Sequence, residues 1–146
     1  MNRNKPWTLS NFEIMDFMKH NPNFRGAFPK DKVPTLKPFE CVVINLHNHD
    51  QKGSHWTCLY RDNEKYYYYD SYGGLPPKKV HNMIESNGVC NTFQAQPMDN
   101  KSVACGFYCI MVLDLLCKGF DFTDICYMFS YDMSHNDKYV FEYVMR

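Results

Sequence analysis

Between Cys105 and Lys118 the chain reads Cys-Gly-Phe-Tyr-Cys-Ile-Met-Val-Leu-Asp-Leu-Leu-Cys-Lys, with Asp114 the one charge before the closing lysine. A helix that is apolar on every face has no solvent side, so this run predicts a helix buried through the core as far as Gly119, with the other elements packed around it. A polar loop from Asp99 leads into it. Cys105 thus stands at the expected helix N-terminus, where the leading N–H groups lack intrahelical partners and the helix dipole is positive. A thiol ionises readily in that setting. Cys105 is therefore a candidate nucleophile; the plainer alternative is one more buried thiol opening a core helix.

A chain of 146 residues is expected to form one domain, residues 1–146, and to bury roughly two thirds of its unfolded surface without disulfide or metal staples. Sixteen basic side chains balance sixteen acidic ones, which gives no reason to expect a nucleic-acid or membrane partner. No run is long and apolar enough to span a bilayer, and the opening Met-Asn-Arg-Asn-Lys-Pro has no signal-like apolar segment. The seven cysteines, at 41, 58, 90, 105, 109, 117 and 126, are odd in number and lack a framework spacing. They read as free thiols of an intracellular, reducing compartment, Cys90 included.

Taken in order, residues 8–20 carry a capping box, Ser10 with Glu13, and a Leu9–Ile14 staple, so a short amphipathic helix is expected up to Asn21-Pro22. The proline-rich residues 21–40 read as a loop packed over the surface. Cys41 to Leu46 is a continuous apolar run, as in a strand buried on both faces. His55 to Arg61 and Lys65 to Asp70 read as two strands joined by a turn at Asp62-Asn63. A helix is expected after Pro76-Pro77, ending before Gly88, then a strand from Val89 to Gln96. Two amphipathic helices, near 123–129 and 136–145, follow the buried one.

That order has chemical consequences. His55 opens the first strand of the hairpin and Asp70 closes the second, so antiparallel pairing brings both to one sheet edge; the alternative is a strand-start histidine and a turn-start aspartate in Asp-Ser-Tyr-Gly-Gly. Cys105 as nucleophile needs an imidazole that holds and returns a proton, for which His55 is the candidate, and Asp70 would fix the ring's orientation and charge. A side-chain amide, Gln96 or else Gln94, could join the Cys105 N–H in an oxyanion hole, a donor worth roughly 3 kcal/mol. Gly106 would keep the approach to the sulfur clear.

Gly53-Ser-His55-Trp56, Tyr69-Asp70-Ser-Tyr-Gly73, and Gln96 followed by Ser102-Val-Ala-Cys105-Gly-Phe-Tyr-Cys together resemble the three signature blocks of the adenain-like cysteine proteases. That group comprises the adenovirus maturation protease and its relatives in virophages and Polinton-type elements, and is itself related to the ubiquitin-like-protein proteases. The resemblance extends to Phe24-Arg-Gly-Ala-Phe and to Met128-Phe-Ser-Tyr-Asp followed by Asn136-Asp-Lys, and so covers most of the chain. It implies an α+β cysteine protease fold, with a mostly antiparallel central sheet packed on the helix that carries the nucleophile. It also implies Cys105, His55 and Asp70 as the catalytic set, Gln96 as oxyanion donor and Trp56 lining the cleft. The implied substrates are capsid and core precursor proteins cut at glycine-containing sites, in the virion and the infected cell's cytoplasm or nucleus. One departure stands out: Gln96 lies nine positions before Cys105, a wider gap than the family's. The activating peptide and DNA of the adenoviral members have no support in this neutral chain, and a monomer without cofactor is expected.

Three other readings compete. A deconjugating protease for ubiquitin-like proteins would use the same motifs. A non-catalytic module would bind glycine-ended tails without turnover. His47, His49, Asp50 and His55, with Cys105 and Cys109 in helical register, could hold a metal, but there is no Cys-x-x-Cys pair and no His-Glu-x-x-His helix, and a His-x-His in a polar loop is ordinarily solvated. Alkylation separates them: the protease reading predicts one fast-reacting cysteine whose modification ends cleavage.

Overall fold

The computed structural model describes residues 3–48, 55–98 and 102–146. Helix α1 (Asn11–Met18) is followed by strands β1 (Phe24–Pro29), β2 (Cys41–Asn45), β3 (Trp56–Arg61) and β4 (Tyr66–Tyr69). Helix α2 (Lys78–Ile84), strand β5 (Gly88–Cys90) and helices α3 (Cys105–Cys117), α4 (Phe122–Cys126) and α5 (Asn136–Met145) complete it. The strands form one sheet in the order β1-β2-β3-β4-β5. The three central strands run antiparallel, as expected, and a parallel pair adds each edge: β1 beside β2, and β5 beside β4.

The sheet is covered on both faces, and the period-two alternation of its strands divides the core accordingly. Cys41, Val43, Cys58, Tyr60 and Tyr69 face a large cluster formed with α3, α1, α4 and α5. Val42, Ile44, Leu59 and Tyr68 face a smaller one with Val33, Leu36 and, from α2, Val80 and Ile84. Double coverage explains why β2 is buried at every position and reads as an unbroken apolar run. Helix α3 is the axis of the larger cluster, with Asp114 and Cys117 its two half-buried residues.

Helix α1 forms with the expected box: the Glu13 N–H donates to Ser10 Oγ at 3.1 Å and the Glu13 carboxylate accepts the Ser10 N–H at 3.0 Å. Two expectations need correction. Residues 21–40 are not all loop, since Phe24–Pro29 is an edge strand. Its partly exposed pattern and the break in register between Phe24 and Ala27 leave no periodic signal to read. The strand expected from Val89 to Gln96 stops at Cys90; beyond it the Asn91 side chain bonds the backbone of Asp70, and the Ala95 and Gln96 N–H groups bond the Ser71 carbonyl. Among the described residues no helix is long and apolar enough to cross a membrane.

Candidate active site

The hairpin β3–β4 pairs Cys58 with Tyr69 and Arg61 with Tyr66, which leaves His55 and Asp70 just beyond its paired end. There His55 Nε2 and Asp70 Oδ1 lie 2.8 Å apart, with side chains 12% and 5% exposed. Several groups hold the carboxylate still. Oδ1 also accepts the Tyr72 N–H at 2.8 Å. Asn91 brackets the backbone of Asp70, accepting its N–H at 2.9 Å and donating Nδ2–H to its carbonyl at 2.6 Å. A Cβ at Gly74 would stand 2.8 Å from Asp70 Oδ2, so any side chain there would displace the carboxylate. The Tyr72 ring stacks on the imidazole at 4.3 Å and 11°, a face that stabilises a cationic ring by about 0.5–2 kcal/mol.

Cys105 is the first residue of α3, and no side chain caps the N–H groups of that turn from the Ala104 position. The Trp56 N–H donates to its sulfur at 3.4 Å, and the sulfur is close enough to the His55 ring to raise its pKa. With Nε2 engaged by Asp70, Nδ1 is the ring nitrogen left for the sulfur. Burial alone would lower the His55 pKa. The hydrogen bond to Asp70 and its negative charge, with the nearby Cys105 sulfur, outweigh it and push the ring up to about 9. The proton therefore rests on the imidazole at neutral pH, between a carboxylate and a sulfur.

The remaining candidates are placed less simply. Trp56, expected to line the cleft, is 9% exposed, and its indole N–H donates to the Leu9 carbonyl at 2.9 Å. It ties the chain before α1 underneath the site. Gly106 has a related task, since a Cβ there would meet Leu9 Cδ1 at 2.9 Å. The missing side chain makes room for Leu9 where an open approach to the sulfur was expected. Gln96 is fully buried, with Oε1 accepting the Ser71 hydroxyl at 2.6 Å and Nε2 donating to Ser102 Oγ at 2.9 Å. Its segment is zipped to the residue after Asp70, for the Ala95 and Gln96 N–H groups both donate to the Ser71 carbonyl, at 2.8 and 3.0 Å. Gln94 bonds the Gln96 carbonyl at 2.8 Å.

Tyr72, Asn91 and Ser71 belong to the site and escaped the reading of the sequence. Tyr72 and Ser71 lay inside the Asp-Ser-Tyr-Gly block, where turn chemistry alone accounted for them; Asn91 carried no signal, since its partner is 21 positions away. Of the metal candidates, His49 and Asp50 lie outside the described residues, and among those described no three His, Cys, Asp or Glu side chains gather as a metal site. The seven cysteines are free thiols, and burial raises the thiol of half-buried Cys90.

A mixed sheet laid on a buried helix in this order is a fold known from solved structures. This chain has the fold of the pS273R protease of ASFV. It matches the selenomethionine crystal structure with a TM-score of 0.65 at 15% identity, covering 99% of this chain and 69% of that one. It matches the unsubstituted form with a TM-score of 0.68 at 14% identity, over 99% and 68%. The SUMO protease Ulp1, with its catalytic cysteine oxidised to a sulfinic acid, gives a TM-score of 0.43 at 17% identity, over 96% of this chain and 87% of that one. No protein-family model and no curated protein sequence matches the chain.

Proposed function

We propose that the chain is a cysteine endopeptidase. Cys105 attacks the scissile carbonyl, His55 gives its Nδ1 proton to the leaving amine, and water then releases the acyl group from sulfur with His55 as base. Asp70 keeps the ring oriented and carries its counter-charge. The N–H of Cys105 and the Gln96 amide are the oxyanion donors in this reading. What carries it is one arrangement: a sulfur at the start of α3 that accepts the Trp56 N–H at 3.4 Å, and next to Trp56 an imidazole whose Nε2 lies 2.8 Å from a buried carboxylate. Exposed Phe93, Met98 and Val103, on the segment leading to Cys105, offer apolar surface for a polypeptide.

The finer reading places the enzyme with the adenain-like viral proteases, cutting capsid or core precursors at Gly-Gly-X or Gly-X-Gly sites in the virion or infected cell. Its support is the set of motif blocks in the sequence together with the fold shared with a viral protease. The test is to present the purified chain with glycine-containing peptides and with a ubiquitin-like conjugate, and to map the cut ends by mass spectrometry. Cleavage of the peptides next to glycine is expected. Cleavage of the conjugate alone moves the assignment to deconjugation, and binding without any cut makes the chain a module for glycine-ended tails.

A further inference from the structure

The orientation of Gln96 is set from the far end of the chain. Asp137, the second residue of α5, accepts the Tyr108 hydroxyl on Oδ1 and the Ser102 hydroxyl on Oδ2, both at 2.8 Å. A carboxylate accepts and does not donate. Ser102 must therefore direct its single proton at Asp137, and toward Gln96 its oxygen can only accept. That requires Gln96 to present Nε2, not Oε1, at 2.9 Å, and leaves Oε1 to accept from Ser71 at 2.6 Å. Donation then runs in one direction, from Ser71 to Gln96 to Ser102 to Asp137, and the amide has no second orientation that satisfies every member. The neighbouring Asn136 secures the backbone of the same segment, its Nδ2–H donating to the Ala95 carbonyl at 2.8 Å.

We propose that Asp137 is a positioning residue of the oxyanion hole: through Ser102 it fixes the Gln96 amide so that the second Nε2 proton, which has no partner among the described residues, is held for the oxygen that becomes negative. The proposal rests on the reading of Gln96 as oxyanion donor. It also accounts for the wide spacing between Gln96 and Cys105, because the amide is held by Ser71 and by α5, not by a short loop. Asp137 touches none of Cys105, His55 or Asp70, so its effect is separable from theirs.

The experiment is a double-mutant cycle with Asp137→Asn and Gln96→Ala, read as kcat and KM on a cleaved peptide. An asparagine can donate to Ser102, which frees that hydroxyl to turn and the Gln96 amide to flip. Each single variant is expected to lose about tenfold in kcat, with KM within about twofold. The pair should be no worse than Gln96→Ala by more than about twofold, since the two act as one unit. Iodoacetamide modification of Cys105 should stay at the parent rate in Asp137→Asn. Losses that multiply, or a loss confined to KM, overturn the proposal. If the parent cleaves nothing, the protease reading has failed and the relay is judged on the Gln96 side-chain amide protons by NMR. Slow exchange in the parent that is lost in Asp137→Asn upholds it, and identical signals in both proteins overturn it.

Discussion

The two ends of α3 each present a cysteine, and their settings are opposed. Cys105 opens the helix with the Trp56 N–H donating to its sulfur and the His55 imidazole nearby. Cys117 closes the helix, where the dipole is negative and Asp114 is near, and its sulfur lies 3.8 Å from that of Cys41. The Cys117 thiol is nevertheless held below its ordinary value, because Cys41 hydrogen-bonds to it and Asn21 adds a second bond, while the same pairing raises Cys41. A readily ionised thiol is thus not enough for peptide cleavage. Beside Cys117 stands a thiol that grips its proton, and beside Cys105 stands a ring that can pass one on to a leaving amine. Small alkylating agents therefore test both ends of α3 against the expectation of a single fast-reacting cysteine, and turnover should depend on Cys105 alone.

Substitutions sharpen that contrast in descending order of effect. Cys105→Ala should remove peptide cleavage by about a thousandfold or more while the thermal midpoint stays close to the parent's; turnover within tenfold of the parent would take Cys105 out of the role. Asp70→Asn should lower kcat/KM by about a hundredfold and change the pH profile. Because the folded value of His55 is raised, the ring is protonated below about 9 and loses its proton above it. The alkaline limb of turnover should therefore lie near that value in the parent and move toward the ordinary histidine value of about 6.5 in the variant. By the same sign, the stabilisation from the His55–Asp70 pair is complete below about 6.5 and is lost as pH rises through about 9. An unmoved limb would reduce Asp70 to a turn residue.

Tyr72→Leu should cost about fivefold in kcat/KM, the loss of a stacked face worth about 1 kcal/mol to the imidazolium. If that variant is indistinguishable in rate and in the position of its alkaline limb, the stack is packing only. Cys117→Ala should leave turnover within about twofold, which is the prediction that most separates the two ends of the helix.

How far the sequence foretold this follows from how local each feature is. The His55–Asp70 meeting was legible because a tight turn and antiparallel pairing leave little choice about which residues end side by side. The place of Cys105 followed from the all-apolar run, which announced a buried helix and its first residue. The edge strand β1 was not legible, since an irregular, half-exposed strand has no periodicity. Nor were the tasks of Trp56 and Gly106, both set by Leu9 across some 47 positions or more. The fixing of Gln96 depends on Asp137, which reaches it only after α5 has packed on α3; no pattern in a single sequence marks such a contact.

The pairing of imidazole and sulfur is tested most directly by measuring, peptide by peptide in a mass spectrometer, the rate at which iodoacetamide modifies Cys105 and Cys117 in the parent and in His55→Ala. Modification of Cys105 should slow by at least about tenfold in the variant while Cys117 keeps its parent rate. Equal rates at Cys105 with and without the ring would mean that His55 does not govern that sulfur, and the catalytic account would fall with it.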